Sequence, residues 1–213
     1  MKLIHSLPVL AVLLVALSAC AAPAATPPTV PESSTTTPTP TETPLPTEQP
    51  ALVLGVAGVT AIDATGASEI IPYTAADAVI ELISQTAGAP PELESTPKGD
   101  VYRWLEDVSV FVLGTSATVR FGAADLNGTE LRTADGIEVG STRAEVEGLS
   151  PFLIDYDGDG DGLPDTLGLE PTPEPGTESL VVPGAVGTTY VGVIFSGDTV
   201  TGLAAPAGDW RDV

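Results

Sequence analysis

The chain has very little histidine, cysteine or lysine, and this scarcity excludes several kinds of active site. Its only histidine is His5 and its only cysteine is Cys20, so the region from residue 51 onwards has neither an imidazole nor a thiol. Ser-His-Asp and Cys-His catalytic groups, zinc sites built on histidine or cysteine, and disulfide bonds are therefore excluded from that region. Lys98 is its only lysine and lies in the turn-like segment ESTPKGD, which argues against serine-lysine chemistry.

Positive charge is also scarce across the whole chain. Seven Lys and Arg residues stand against 29 Asp and Glu residues, which gives a formal net charge of -22. A charge of this sign repels nucleic acid and anionic lipid surfaces. We therefore expect no nucleic acid partner and an acidic, well-solvated surface.

The first twenty residues have the layout of a bacterial export signal. A basic start precedes an apolar run from Leu7 to Leu17, which is too short to span a membrane. The run ends in LSAC, which resembles the lipobox of bacterial lipoproteins. The resemblance implies cleavage of residues 1–19, lipid on Cys20, and an extracytoplasmic protein anchored to the membrane or envelope through that lipid. The alternative is an ordinary secretory signal followed by a chance cysteine.

Residues 20–50 predict a tether. After Cys20 this stretch is nearly all Pro, Thr, Ala, Ser and Glu, and such a composition cannot bury a hydrophobic core. We expect a disordered segment with local polyproline II character that reaches at most roughly 90 Å, at about 3.1 Å per residue. Its Thr and Ser side chains are either a plain spacer or sites for O-linked sugars.

The remaining residues, 51–213, contain two similar successions of predicted elements. In the first, a strand-like segment that is interrupted by glycines precedes a helix, which Thr74 caps and Gly88 ends. A hairpin follows near residues 108–122. In the second, a strand over Ile137 to Val139 precedes a capping box from Thr142 to Glu145, and a hairpin follows near residues 188–204. The order of elements predicts an α+β fold made of two tandem repeats, 51–134 and 135–213, each with a helix packed on an antiparallel sheet.

One segment of the second half also carries a family resemblance. DGIEVGSTRAEVEGL resembles a signature of small bacterial envelope lipoproteins of the SmpA/BamE-like class and of tandem-repeat proteins with the β-lactamase-inhibitor-like architecture. The resemblance implies a helix or helix pair on an antiparallel sheet and a protein partner in the envelope. Gly140, Thr142 and Glu145 are otherwise interpreted as a turn and a helix cap.

An acidic insertion at about 155–176 interrupts the second repeat. It opens with DYDGDGDGLPD, which places five aspartates in eleven residues. Two carboxylates about 4 Å apart repel by roughly 1 kcal/mol even in bulk water, so the loop is either fully solvated or holds a cation.

Read from Asp157, the segment DGDGDGLPDTLG resembles EF-hand-like and thrombospondin type 3-like calcium loops. Oxygens at alternate positions of a wrapped loop supply the six to eight hard ligands that Ca²⁺ prefers. The frame predicts a turn at Gly162 and one weakly bound ion, because Gly168 replaces the bidentate acid of the twelfth position. The expected ligands are Asp157, Asp159, Asp161, Leu163 and Asp165, with Asp155 or Glu170 as substitutes for the missing acid.

Together these patterns favour a protein that is not an enzyme. We expect a membrane-anchored extracytoplasmic lipoprotein whose duplicated domain binds a protein or other envelope ligand and holds Ca²⁺ weakly. One alternative is a calcium-stabilised structural or surface module without a dedicated ligand. Another is a carboxylate-dependent hydrolase, although no carboxylate pair stands out in the sequence.

Overall fold

A computed structural model describes residues 49–212, with the exception of residues 106, 155, 156 and 159. Within this part of the chain there are fifteen strands and two helices. The strands are β1 (Ala51–Leu54), β2 (Gly58–Ile62), β3 (Ser68–Pro72), β4 (Glu92–Thr96), β5 (Gly99–Trp104), β6 (Val108–Leu113), β7 (Ser116–Phe121), β8 (Asp125–Leu126), β9 (Thr129–Thr133), β10 (Phe152–Ile154), β11 (Thr166–Glu174), β12 (Thr177–Ser179), β13 (Gly187–Ser196), β14 (Thr199–Gly208) and β15 (Trp210–Asp212). The helices are α1 (Ala76–Ala87) and α2 (Arg143–Glu147). Neither described helix has the length and apolar character needed to cross a membrane.

The predicted α+β fold of two helix-on-sheet repeats is wrong. The described part of the chain is mostly β, with 52% of its residues in strands and 11% in helices, and its strands form three sheets. The five-stranded sheet has the order β3-β2-β1-β9-β8, the eight-stranded sheet has the order β10-β11-β13-β14-β7-β6-β5-β4, and β12 pairs with β15. The strand pairs are antiparallel except for β1 and β9, which run parallel.

Both expected hairpins form, but they belong to one sheet. β6 pairs with β7 and β13 pairs with β14, and β14 then pairs antiparallel with β7. In that pairing Leu203 lies opposite Phe121 and Ala205 lies opposite Val119. The eight-stranded sheet therefore joins strands from both halves of the chain.

The core connects this large sheet to the five-stranded sheet and to α1. Val119 and Phe121 from β7, Leu54 from β1, and Val79 and Ile83 from α1 are all fully buried. Burying a side chain of this size stabilises a fold by roughly 1.5 to 3 kcal/mol, so the shared core opposes separation of the two halves.

The helices begin and end for local reasons. Thr74 does not cap α1, because the helix begins after Ala75 and no side chain makes a capping hydrogen bond there. Gly88 ends α1 as predicted, with a positive φ of 68° that glycine adopts without strain. The predicted capping box at α2 is confirmed: Thr142 Oγ1 accepts from the Glu145 N–H, and the Glu145 carboxylate accepts from the Thr142 N–H.

Candidate calcium-binding loop

The acidic loop connects β10, which ends at Ile154, to β11, which begins at Thr166. Of the predicted calcium ligands, the structure describes Asp157, Asp161, Leu163 and Asp165. Asp155 and Asp159 lie outside the described residues. Cys20, the predicted lipid attachment site, also lies outside them.

Asp157 organises the first part of the loop. Its Oδ1 accepts a hydrogen bond from the Gly160 N–H at 2.6 Å, and its Oδ2 accepts one from the Gly162 N–H at 3.0 Å. Gly160 and Gly162 have φ values of 79° and 86°, a backbone region that glycine occupies without the penalty a side chain would add. The chain therefore wraps around the Asp157 carboxylate, with the turn at Gly162 where the calcium frame expects it.

Two further aspartates close the loop. Asp161 Oδ1 accepts from the Leu163 N–H at 2.7 Å, and Asp165 Oδ2 accepts from the Gly158 N–H at 2.6 Å. The second bond joins the end of the loop to its beginning. Because an ionised carboxylate has about four acceptor sites, these bonds leave acceptor capacity on Asp157 and Asp165. Among the described residues, neither of these two carboxylates forms an ion pair.

Arg143, which the sequence reasoning did not single out, anchors the end of the loop. Its side chain is 7% exposed, and its Nη1 donates to the Pro164 carbonyl at 3.0 Å. Its Nη2 and Nε donate to the Gly197 carbonyl at 2.9 and 3.3 Å. The guanidinium also lies 4.2 Å from the centre of the Phe195 ring, within the range of a cation-π interaction. One buried cation thus connects α2, the β13–β14 turn and the residue before Asp165.

A spacing signal for Arg143 was present in the sequence. Arg143 precedes the buried Val146 by three residues, and residues at this spacing share one face of a helix. Its contacts to Pro164 and Gly197 connect segments that lie 21 and 54 residues away along the chain. Those contacts depend on the tertiary fold, so a local pattern could not identify them.

The twelfth position of the calcium frame lies in a strand. Gly168 belongs to β11 and pairs with Phe152, and a Cβ at Gly168 would lie 3.0 Å from the Tyr190 ring. An acid at this position would press against that ring instead of facing the loop. Gly168 therefore has a packing reason to be glycine that is independent of any ion.

Glu170, a suggested substitute ligand, forms a hydrogen bond with the five-stranded sheet. Its Oε2 accepts from the Val56 N–H at 3.2 Å, in the turn between β1 and β2. Nearby, Tyr73 donates its hydroxyl to the Gly55 carbonyl at 2.9 Å. Burial, together with the charge of Glu170, raises the pKa of the Tyr73 hydroxyl. Tyr73 therefore stays protonated as a hydrogen-bond donor.

Within the described residues, no group of three or more Asp, Glu, His or Cys side chains is placed to hold a metal ion. Asp159, the second ligand of the frame, lies outside the described residues, so the calcium site stays a prediction. No protein-family model, curated protein or solved structure matches this chain. Function therefore has to be argued from the chain itself.

Proposed function

We propose that this chain is a non-catalytic, lipid-anchored protein on the extracytoplasmic side of a bacterial membrane. In this proposal its mostly β domain binds another component of the cell envelope and holds one Ca²⁺ weakly in the loop of residues 155–165. The observation that carries the calcium part is the wrapping of the chain around Asp157, with Gly162 turning at the expected position. LSAC supports the anchor, and the proline-rich residues 21–50 support a tether that holds the domain away from the membrane.

The expected calcium affinity is in the extracellular range, with a dissociation constant of about 10⁻⁴ to 10⁻³ M. A constant of about 0.1 mM and about 1 mM free Ca²⁺ would stabilise the folded protein by RT ln 11, roughly 1.4 kcal/mol. For a domain of this size, that corresponds to an increase in the melting temperature of about 3 to 6 °C. Thermal unfolding with Ca²⁺ and with a chelator would measure it.

The anchor is tested by substituting Cys20→Ser in the full chain. The parent should enter the detergent phase on phase separation. The variant should either stay uncleaved or be released from the membrane, and the released protein should enter the aqueous phase. Normal processing and membrane retention of the variant would contradict lipidation at Cys20.

The envelope partner is tested by crosslinking on intact cells. A stoichiometric protein recovered with the parent, and lost when the soluble domain is added as competitor, supports a binding function. If no envelope component is recovered while Ca²⁺ still stabilises the domain, the chain is better described as a calcium-stabilised surface module.

A further inference from the structure

A groove of about 750 Å³ lies outside the calcium loop, where the β1–β2 turn, the β6–β7 hairpin and the end of β14 meet. We call it the aromatic groove. Its volume is within the range of pockets that bind small molecules. Its apolar surface is partly open, since 64% of Leu113 and 39% of Trp210 are exposed. The residues that matter for its chemistry are Tyr73, Phe111, Leu113, Glu174, Pro206 and Trp210.

The charge of the aromatic groove comes from one side chain. Among the described residues that line it, none is Lys or Arg, and Glu174 is the only charged one. Glu174 is half-buried, and within the described part of the chain it forms no ion pair. A carboxylate that is partly removed from water is costly unless a positive charge or hydrogen bonds compensate it. The groove therefore favours a cation and disfavours an anion.

Trp210 is fixed beside this carboxylate. Its indole N–H donates to Thr189 Oγ1 at 3.2 Å, and that hydroxyl donates to Glu174 Oε2 at 3.2 Å. These two bonds keep the carboxylate within a few ångströms of the indole ring. A Cβ at Gly208 would lie 2.5 Å from Trp210 Nε1, so the ring rests directly on that glycine. The ring and the charge are therefore positioned before any ligand binds.

An aromatic ring beside a carboxylate suits an organic cation. The faces of aromatic rings attract a cation within about 6 Å of the ring centre, and tryptophan attracts it most strongly. A primary ammonium has three N–H donors and a guanidinium has five, and these donors need acceptors after binding. A trimethylammonium group has none, and its methyl groups can pack on apolar side chains such as Leu113 and Pro206. A quaternary ammonium group therefore loses the fewest hydrogen bonds when it leaves water for this groove.

We propose that the aromatic groove binds a small, soluble quaternary ammonium compound, whose cationic group lies between Trp210 and Glu174. A free compound fits better than a phosphocholine lipid headgroup, because the phosphate of the headgroup would lie close to the same carboxylate. None of the described residues of the acidic loop lines the groove. Binding there needs neither the lipid anchor nor Ca²⁺, so it adds a small-molecule ligand to the proposed function.

The first test is an NMR titration of choline chloride into residues 20–213 with Cys20→Ser, at constant ionic strength and with a calcium chelator present. The chain has two tryptophans, so it gives two indole N–H signals. The signal of Trp210 should shift and saturate, whereas that of Trp104, a residue that is only 2% exposed, should stay in place. The uncharged isostere 3,3-dimethyl-1-butanol should bind about tenfold more weakly, because it has the shape of choline without the positive charge.

Glu174→Gln tests the carboxylate. Glutamine keeps an oxygen that can accept from Thr189 but removes the charge, so we expect choline to bind about tenfold more weakly. The matched control is Glu147→Gln, which removes the same charge from an exposed residue of α2 and should leave the affinity unchanged. Trp210→Leu keeps an apolar side chain without the ring, and the amide signal of Leu113 should no longer shift with choline. If Trp210→Leu does not fold, Glu174→Gln still gives the answer.

Four results would overturn the proposal. The Trp210 signal could show no saturable shift up to about 20 mM choline, a concentration beyond the range of specific binding. The uncharged isostere could bind as tightly as choline, which would make the groove a purely apolar pocket. Glu174→Gln and Glu147→Gln could change the affinity equally. Phosphocholine or Nα-acetyl-lysine methylamide could bind more tightly than choline, which would assign the groove to a lipid headgroup or to a basic side chain of a protein partner.

Discussion

Replacing Arg143 with methionine should destabilise the domain more than any ordinary surface substitution. Methionine keeps much of the side-chain volume but removes the donors to the Pro164 and Gly197 carbonyls and the cation over Phe195. Hydrogen bonds from a charged donor contribute about 1.5 to 3 kcal/mol each, and a cation-π contact about 0.5 to 2 kcal/mol. Pro164 and Gly197 are half-buried, so water can replace part of the lost hydrogen bonding to their carbonyl groups in the variant. We therefore expect a net loss of about 2 to 4 kcal/mol in the free energy of unfolding.

Urea denaturation of residues 20–213 with Cys20→Ser, followed by far-ultraviolet circular dichroism, measures this loss. The matched control is Arg120→Met, because Arg120 is exposed on β7, and the expected change there is within about 0.5 kcal/mol. Arg143→Lys should recover little stability, since an ammonium group lacks the planar fork that reaches two carbonyls and stacks on a ring. A loss below about 0.5 kcal/mol for Arg143→Met, or full recovery with lysine, would refute the anchoring role of the guanidinium.

Three further predictions concern the cap of α2 and the shared sheet. Thr142→Ala should lower the free energy of unfolding by about 1 kcal/mol in urea denaturation, because it removes the capping hydroxyl; no change would contradict a stabilising cap. The Thr142 backbone N–H and hydroxyl lower the pKa of Glu145, so its stabilising contribution is complete above the ordinary pKa of glutamate and is lost as the pH falls through the lowered value. An NMR titration should show a midpoint below that of an ordinary glutamate, and an ordinary midpoint would argue against the capping box. Residues 51–134 and 135–213 should not melt cooperatively when produced separately, because β7 and β14 pair across the division; two independent sharp transitions would show separate domains.

Local patterns predicted the elements whose partners are close in sequence. The capping box at Thr142, the end of α1 at Gly88 and the two hairpins each depend on a few adjacent residues, and each is present. The turn at Gly162 also depends only on the Asp-Gly spacing of the loop. These features could be recognised without knowledge of the fold.

The sheets could not be predicted in this way. Which strands pair is decided by contacts far apart in sequence, such as the parallel pairing of β1 with β9. β11 lies within the loop insertion that was predicted at about 155–176. This strand accommodates Pro171 and Pro173 near a break in its register with β13 between Leu169 and Thr172. β4 is an edge strand with mostly exposed residues, so it has little of the apolar pattern that marks a strand.

Some residues around the candidate calcium site could be predicted from the sequence, and others required the fold. The aspartate frame was visible because its members alternate along a short segment. The position of Gly168 against Tyr190 depends on how β11 lies beside β13 in the eight-stranded sheet. The position of Glu170 against Val56 depends on how β11 contacts the five-stranded sheet, so both required the fold. The contacts of Arg143 with Pro164 and Gly197 also required the fold.

Calorimetric titration of Ca²⁺ into residues 20–213 with Cys20→Ser tests the central claim most directly. We expect one ion to bind with a dissociation constant of about 10⁻⁴ to 10⁻³ M. Asp157→Asn should abolish the binding heat, whereas Asp135→Asn, at an exposed aspartate outside the loop, should leave it unchanged. The predicted result is that the parent and Asp135→Asn give binding heat and Asp157→Asn gives none. No heat from the parent would show that the five aspartates form a solvated acidic loop. Equal heat from the parent and Asp157→Asn would show that Ca²⁺ binds without Asp157, and it would contradict the calcium frame that begins at this residue.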